Sequence, residues 1–248
     1  MQNKISKINL EIIKNRYFFA KKFSNNKEIL EIGCGFGLGF EYLYQNSNDY
    51  IGIDINHRQI DYAKKNYKNF KDKFLVLNYE EIEKLNKKFD LIVCLATVYY
   101  LDINKFLDIS KKLLKKKGKI IFDMSNKDIP GFDTKWDNQS KYYQVDELNI
   151  ILKTKGFSAN FYGSFIVKNT KKIEKIRKAR QYVKKFFNFF KLNFLKKLII
   201  FFIDRNFYIL PHSIINVMKG YNYDYQLIPS NKKCYDYKVI FIEASLNL

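Results

Sequence analysis

Two short stretches hold the residues whose type and spacing point to chemistry. The first is Ile29-Leu-Glu-Ile-Gly-Cys-Gly-Phe-Gly37, in which an apolar run passes straight into Gly33, Gly35 and Gly37, with an acid, Glu31, two places before the first glycine. Glycines there let backbone come close to a ligand, because no Cβ stands in the way and positive φ is accessible. A dinucleotide fingerprint would need glycine at position 38, which is Leu38. The second stretch, Asp49-Tyr-Ile-Gly-Ile-Asp54, ends in an acid placed to accept hydrogen bonds from two vicinal ribose hydroxyls. Metal and disulfide chemistry find no comparable pattern. His57 and His212 have neither an i,i+4 partner nor a flanking cysteine, and Cys34, Cys94 and Cys234 are widely spaced and odd in number. Such cysteines suit a reducing, cytoplasmic setting.

Regular elements must hold these residues in place. Short apolar runs at 28–32, 49–54, 74–77, 89–95 and 119–123 predict strands, and helical spacing is expected over 5–23, 40–45, 60–70, 104–114 and 144–155. Two further strands are predicted at 158–167 and 238–244. Strand and helix alternate with short connections, and the strands are continuously apolar, as in a parallel sheet buried on both faces. The expected fold class is α/β, a doubly wound, mostly parallel sheet of seven strands with a helical insertion before the last.

At this point the chain resembles the class I S-adenosylmethionine-dependent methyltransferases. The glycine stretch, Tyr50-Ile-Gly-Ile-Asp54, Phe89-Asp-Leu-Ile-Val-Cys94 and Leu113-Leu-Lys-Lys-Lys-Gly-Lys-Ile-Ile-Phe122 match that family's segments in order, over about residues 15–166 plus the last strand. The resemblance implies a Rossmann-like methyltransferase fold and S-adenosyl-L-methionine as cofactor. It implies that Gly33, Cys34, Gly35 and Gly37 hold the methionine part, and that Glu31 orients the loop or meets the amino group. Asp54 would bind the ribose, Ile55 would lie against the adenine, and Asn78 would face the adenine edge through its side-chain carbonyl. Cys94, Leu95 and Ala96 would stand beside the methionine, and Arg16-Tyr17 would close over the cofactor.

Methyl transfer from a sulfonium is an in-line displacement that asks mainly for alignment and exclusion of water, with a general base for some hydroxyl acceptors. Doubly wound folds place ligands at the carboxyl ends of their strands. The candidates for catalytic work there are Tyr99, Tyr100, Asp123 and the loop 133–137 with the single tryptophan, Trp136; His212 is another, further along. Leu95-Ala-Thr-Val-Tyr-Tyr100 follows the fourth strand and holds no proline. The resemblance thereby argues against methylation of adenine or cytosine amino groups.

The chain's net charge is +20 over 248 residues, with 45 Lys and Arg against 25 acids. Forty of the basic residues are lysine, and Lys, Asn, Ile, Phe and Tyr are favoured by AT-rich codons. Codon bias does not set distribution: residues 171–200 hold 11 Lys and Arg against one acid, Glu174. Half of the net charge thus falls in 30 residues. Ile173, Ile176, Val183, Phe187, Phe190 and Phe194 recur there at helical spacing. This divides the chain into a cofactor-binding core, 1–166 with 235–248, and a basic, aromatic-rich insertion, 167–234. Three readings of the insertion stand side by side: a cap over the acceptor pocket, an amphipathic helix (171–203) on an anionic membrane surface at the cytoplasmic face, or an RNA-binding element. Phenylalanine-rich helical spacing and scarce arginine make RNA the least favoured. The longest apolar run, Leu198-Ile-Ile-Phe-Phe-Ile203, is too short to span a bilayer, and Met1-Gln-Asn-Lys-Ile-Ser-Lys lacks the apolar core of a signal peptide. The acceptor expected is a small molecule or a lipid- or sugar-linked hydroxyl. The rival reading is a protein that keeps the cofactor fold without catalysis and binds membrane or RNA through the insertion.

Overall fold

A computed structural model of the chain describes residues 4–129, 132, 140–166, 207–209, 211–218 and 223–247. Its elements in chain order are β1 (Lys4–Ser6), α1 (Lys7–Lys21), β2 (Glu28–Ile32), α2 (Phe40–Tyr44), β3 (Asp49–Asp54), α3 (His57–Asn66) and β4 (Phe74–Val76). Then follow β5 (Phe89–Cys94), α4 (Ile103–Leu113), β6 (Leu114–Ser125), α5 (Val145–Thr154), β7 (Phe157–Ile166), β8 (Phe207–Ile209), β9 (Gln226–Ile228) and β10 (Tyr237–Leu246).

The main sheet runs in the order β4-β3-β2-β5-β6-β10-β7-β9. β4 through β6 are parallel, while β10 lies antiparallel between β6 and β7. The seven expected strands are thus joined by an eighth, the edge strand β9, which pairs Leu227 opposite Tyr162. In chain order the sheet grows outward from β2 through β3 to β4 and then returns to the other side of β2 with β5. That reversal is the topological switch point, where the connections diverge and leave a crevice beyond the strand ends.

Alternate residues of each strand face opposite layers, which is why unbroken apolar runs were needed. Ile29, Leu91, Val93, Ile121 and Phe241 pack with residues of α1, α2 and α3, including Phe19, Phe40, Leu43 and Ile60. Leu30, Ile92, Ile120, Phe122 and Ile242 pack on the other face with Phe106, Leu107, Leu148 and Leu152 of α4 and α5. The helices start where their caps dictate. Asn56 Oδ1 accepts from the Arg58 and Gln59 N–H groups at the head of α3, and Asp102 Oδ1 does so from Asn104 and Lys105 at the head of α4.

A second, two-stranded sheet pairs β1 antiparallel with β8, placing Lys4 opposite Ile209. It joins the segment just before α1 to the later part of the expected insertion. Downstream, the Ile214 N–H donates to the Leu38 carbonyl at 2.8 Å, and Ile214 is buried against the layer that holds α2. The basic, phenylalanine-rich stretch 171–203 lies outside the described residues.

Candidate active site

A cleft of about 750 Å³ opens at the carboxyl ends of β2, β3, β4 and β5. A volume of that order suits a cofactor-sized ligand. Its floor is the turn after β2. Gly33, Gly35 and Gly37 there have φ of +77°, +55° and +70°. The N–H groups of Gly33 and Cys34 both donate to the Ile53 carbonyl, at 2.8 and 3.0 Å, tying the turn to the end of β3. A Cβ on Gly33 would overlap the Thr97 side chain, and one on Gly35 would lie 2.9 Å from Gln59 Oε1. Crowding by Thr97 and positive φ together require glycine at 33, and positive φ favours it at 35, where the Gln59 side chain can move aside.

Asp54 closes β3 at the side of this turn. Its Oδ2 accepts from the Gly35 N–H at 3.0 Å and its Oδ1 from the Asn56 N–H at 2.9 Å. Each oxygen keeps a further lone pair, so the carboxylate can take one hydroxyl of a vicinal diol on each side. Ile55, 72% exposed, and Leu77 supply apolar wall next to it. Asn78 Oδ1 accepts from the Glu80 N–H at 3.1 Å, capping the short 3-10 helix Tyr79–Leu85. A backbone N–H needs an acceptor, which fixes the amide's orientation. Asn78 lines the cleft, and its Oδ1 keeps a second lone pair beside the one that caps the 3-10 helix.

The structure brings Gly33, Cys34, Gly35, Asp54, Ile55, Asn78 and Leu95 together in the cleft wall, with Arg16, Tyr17 and Ala96. It sets three other expected residues behind that wall. Glu31 is buried, accepting from the Tyr17 hydroxyl at 2.8 Å and from the Tyr50 hydroxyl. Burial pushes its carboxyl up to about 7, although both hydroxyl donors pull the other way. Gly37 packs toward Phe74 and Ala63, and Cys94 is fully buried in the core. Burial also holds the Cys34 and Cys94 thiols well above their ordinary value, so neither is a ready nucleophile.

Of the catalytic candidates, Tyr100 reaches the cleft and is 56% exposed. Tyr99 is half-buried beside it, stacked on Tyr142 at 5.2 Å, and burial raises its phenol. Asp123 lies under the cleft, 0% exposed, with Oδ2 accepting from Arg16 Nε and Oδ1 from the Ala96 N–H, each at 2.8 Å. His212 stands exposed outside the cleft wall, its Nδ1 2.9 Å from the Tyr62 hydroxyl. Tyr62 in turn meets Phe36, a cleft residue, edge-on at 5.3 Å. Residues 133–137, with Trp136, fall outside the described residues.

Sequence reasoning missed Phe36, Leu38, Asn56, Gln59, Thr97 and Leu101, all of which line the cleft. Only Asn56 carried a local signal, a capping residue directly after a strand end.

Sheet order and a cleft at the switch point define a doubly wound, Rossmann-like fold. Solved structures share it over nearly the whole chain. An S-adenosylmethionine-dependent methyltransferase from Archaeoglobus fulgidus aligns over 95% of this chain and 93% of its own at a TM-score of 0.59 and 17% identity. One from Thermotoga maritima, described as a possible histamine N-methyltransferase, aligns over 96% and 91% at 0.56 and 12% identity. Residues 30–122 match the family described as "Methyltransferase domain". The chain thus carries a methyltransferase-domain match over residues 30–122 and shares the fold of S-adenosylmethionine-dependent methyltransferases. It is similar to the ubiquinone biosynthesis O-methyltransferase of Pelagibacter ubique, 35% identical over 112 residues, which are 43% of this chain and 45% of that one. An uncharacterised protein of Methanocaldococcus jannaschii is 30% identical over 110 residues, 44% and 46% of the two chains. The match thus spans about half the length of these relatives.

The family's cofactor is S-adenosyl-L-methionine, and the residues present fit it. The glycine turn at 33–35, the Asp54 carboxylate with a lone pair left on each oxygen, the Asn78 amide, the apolar Ile55 and Leu77, and Arg16 line one cleft.

Proposed function

We propose that this chain transfers the methyl group of S-adenosylmethionine to a hydroxyl of a small-molecule or lipid- or sugar-linked acceptor. The observation that carries the proposal is Asp54, anchored by the Gly35 and Asn56 N–H groups with a free lone pair on each oxygen, at one end of a cleft that continues to Tyr100 and Leu101. Oxygen as the methylated atom rests on the similarity to enzymes named as O-methyltransferases, which covers the cofactor-binding stretch.

When bound, S-adenosylmethionine supplies a methyl group on a positively charged sulfur. The chain's residues hold and orient. Asp54 grips the ribose, Asn78 and Ile55 take the adenine, and the turn at 33–35 receives the methionine chain. Arg16, reaching the cleft from α1, faces the charged end. Tyr100 and Leu101 with Ile13 form the wall against which an acceptor is aligned, and their bulk displaces water from the line of attack. Tyr100 offers a phenol to hydrogen-bond the acceptor hydroxyl.

A labelled-methyl assay over phenolic, sugar and lipid-linked hydroxyl acceptors tests this. Label should pass to at least one acceptor in an enzyme-dependent way. Binding of S-adenosylhomocysteine with no transfer to any would favour a cofactor-binding protein without catalysis. Any charged partner belongs to the basic segment 171–203; among the described residues no helix is long and apolar enough to cross a membrane. Flotation on anionic vesicles, lost on deletion of 171–203, is expected if that segment lies on a membrane surface.

A further inference from the structure

Asp123 is a fully buried carboxylate that the cofactor contacts above do not use. It sits on β6, and its two oxygens reach two different elements. Oδ2 accepts from Arg16 Nε of α1 at 2.8 Å, and Oδ1 accepts from the backbone N–H of Ala96, just past β5, at 2.8 Å. Arg16 and Ala96 both line the cleft, whereas Asp123 does not. Ala96 has φ of +55°, a left-handed conformation that a residue with a Cβ adopts only when its surroundings hold it. Arg16 is a long side chain with many rotamers, and its side chain is 15% exposed. The pair uses Nε, so the two terminal nitrogens are not spent on Asp123. Burial alone would lower the Arg16 pKa, but the charge of Asp123 and its hydrogen bond more than offset this, so the guanidinium stays charged.

We propose that Asp123 is a positioning residue that fixes the Arg16 guanidinium and the Ala96 turn at once, setting the methionine end of the cleft before ligand arrives. A buried carboxylate placed only for stability would need one partner set. This one spends each oxygen on a separate cleft-lining group, 107 and 27 residues away in sequence. Pre-setting a flexible arginine removes its ordering from the cost of binding. The proposal rests on the cofactor reading of the cleft.

The test uses the full chain and four proteins: wild type, Asp123→Asn, Arg16→Met and the double variant. S-adenosylhomocysteine affinity is read by calorimetry and melting temperature by circular dichroism. Asp123→Asn keeps the shape and an acceptor for the Ala96 N–H but loses the charge that orients Arg16. It should weaken affinity about tenfold. Arg16→Met should weaken it at least as much and also lower the melting temperature, because Asp123 is left charged, buried and unpaired. The double variant should recover the melting temperature of Asp123→Asn yet bind no better than Arg16→Met. Wild-type affinity in a folded Asp123→Asn, or penalties that multiply independently in the double variant, would overturn the positioning role. Wild type that fails to bind S-adenosylhomocysteine at all would overturn the cofactor reading and the proposal with it.

Discussion

The Tyr17 hydroxyl donates to Oε1 of Glu31 at 2.8 Å, binding α1 to the strand that carries the glycine turn. Tyr50 of β3 donates to the other oxygen, so one buried carboxylate joins three elements directly behind the cleft. An acid two residues before the first glycine thereby acts on the site through structure. It braces the helix whose Arg16 and Tyr17 line the cleft.

This brace makes stability depend on pH. Glu31 is pushed up by burial to about 7 from an ordinary 4.5, so the folded chain holds this proton more tightly than the unfolded one. Its contribution is fully present below about 4.5 and is lost as pH rises through about 7. The loss is on the order of 3 kcal/mol. Glu31→Gln, which stays neutral, should flatten the decline in chemical-denaturation stability between pH 5 and pH 8. An unchanged slope would show that Glu31 titrates as an exposed acid does.

Gly33 tests the crowding of the turn. Alanine there must adopt φ near +77° with its Cβ against Thr97. The left-handed conformation alone costs about 1–2 kcal/mol. Gly33→Ala should therefore lower the melting temperature by roughly 2–8 °C, and weaken S-adenosylhomocysteine binding. Adding Thr97→Gly should return part of both losses by removing the overlap. A Gly33→Ala protein that melts and binds like wild type would mean that the turn is not held as described.

Tyr100 separates the two ends of the cleft. If the exposed Tyr100 ring meets the acceptor as proposed, Tyr100→Ala should raise the KM for the acceptor severalfold. Affinity for S-adenosylhomocysteine should change less than twofold. The opposite pattern would move Tyr100 into the cofactor site.

The parallel strands were legible because being buried on both faces demands unbroken apolar runs, and the glycine turn was legible because its spacing is local. Asp54 could be placed for the same reason: the end of a strand is visible in the pattern. What escaped was non-local. β9 is three residues long, and β1 pairs with β8 across some 200 residues, so neither leaves a periodic signal. Gln59 and Thr97 reach the cleft only because α3 and the segment after β5 fold over the glycine turn. For Glu31 the sequence left open whether it orients the loop or meets the amino group, and for Asp123 it offered a catalytic candidate; it shows an acid near a site but not the tyrosines or arginine that come to occupy it.

The central claim is that the cleft binds the methyl donor through Asp54, and calorimetry with S-adenosylhomocysteine tests it most directly. Wild type should bind, and Asp54→Ala should bind at least tenfold more weakly, as expected for loss of charged hydrogen bonds worth on the order of 1.5–3 kcal/mol. No heat of binding to wild type across pH 6–8 and low to moderate salt, or equal affinity in a folded Asp54→Ala, would contradict the account.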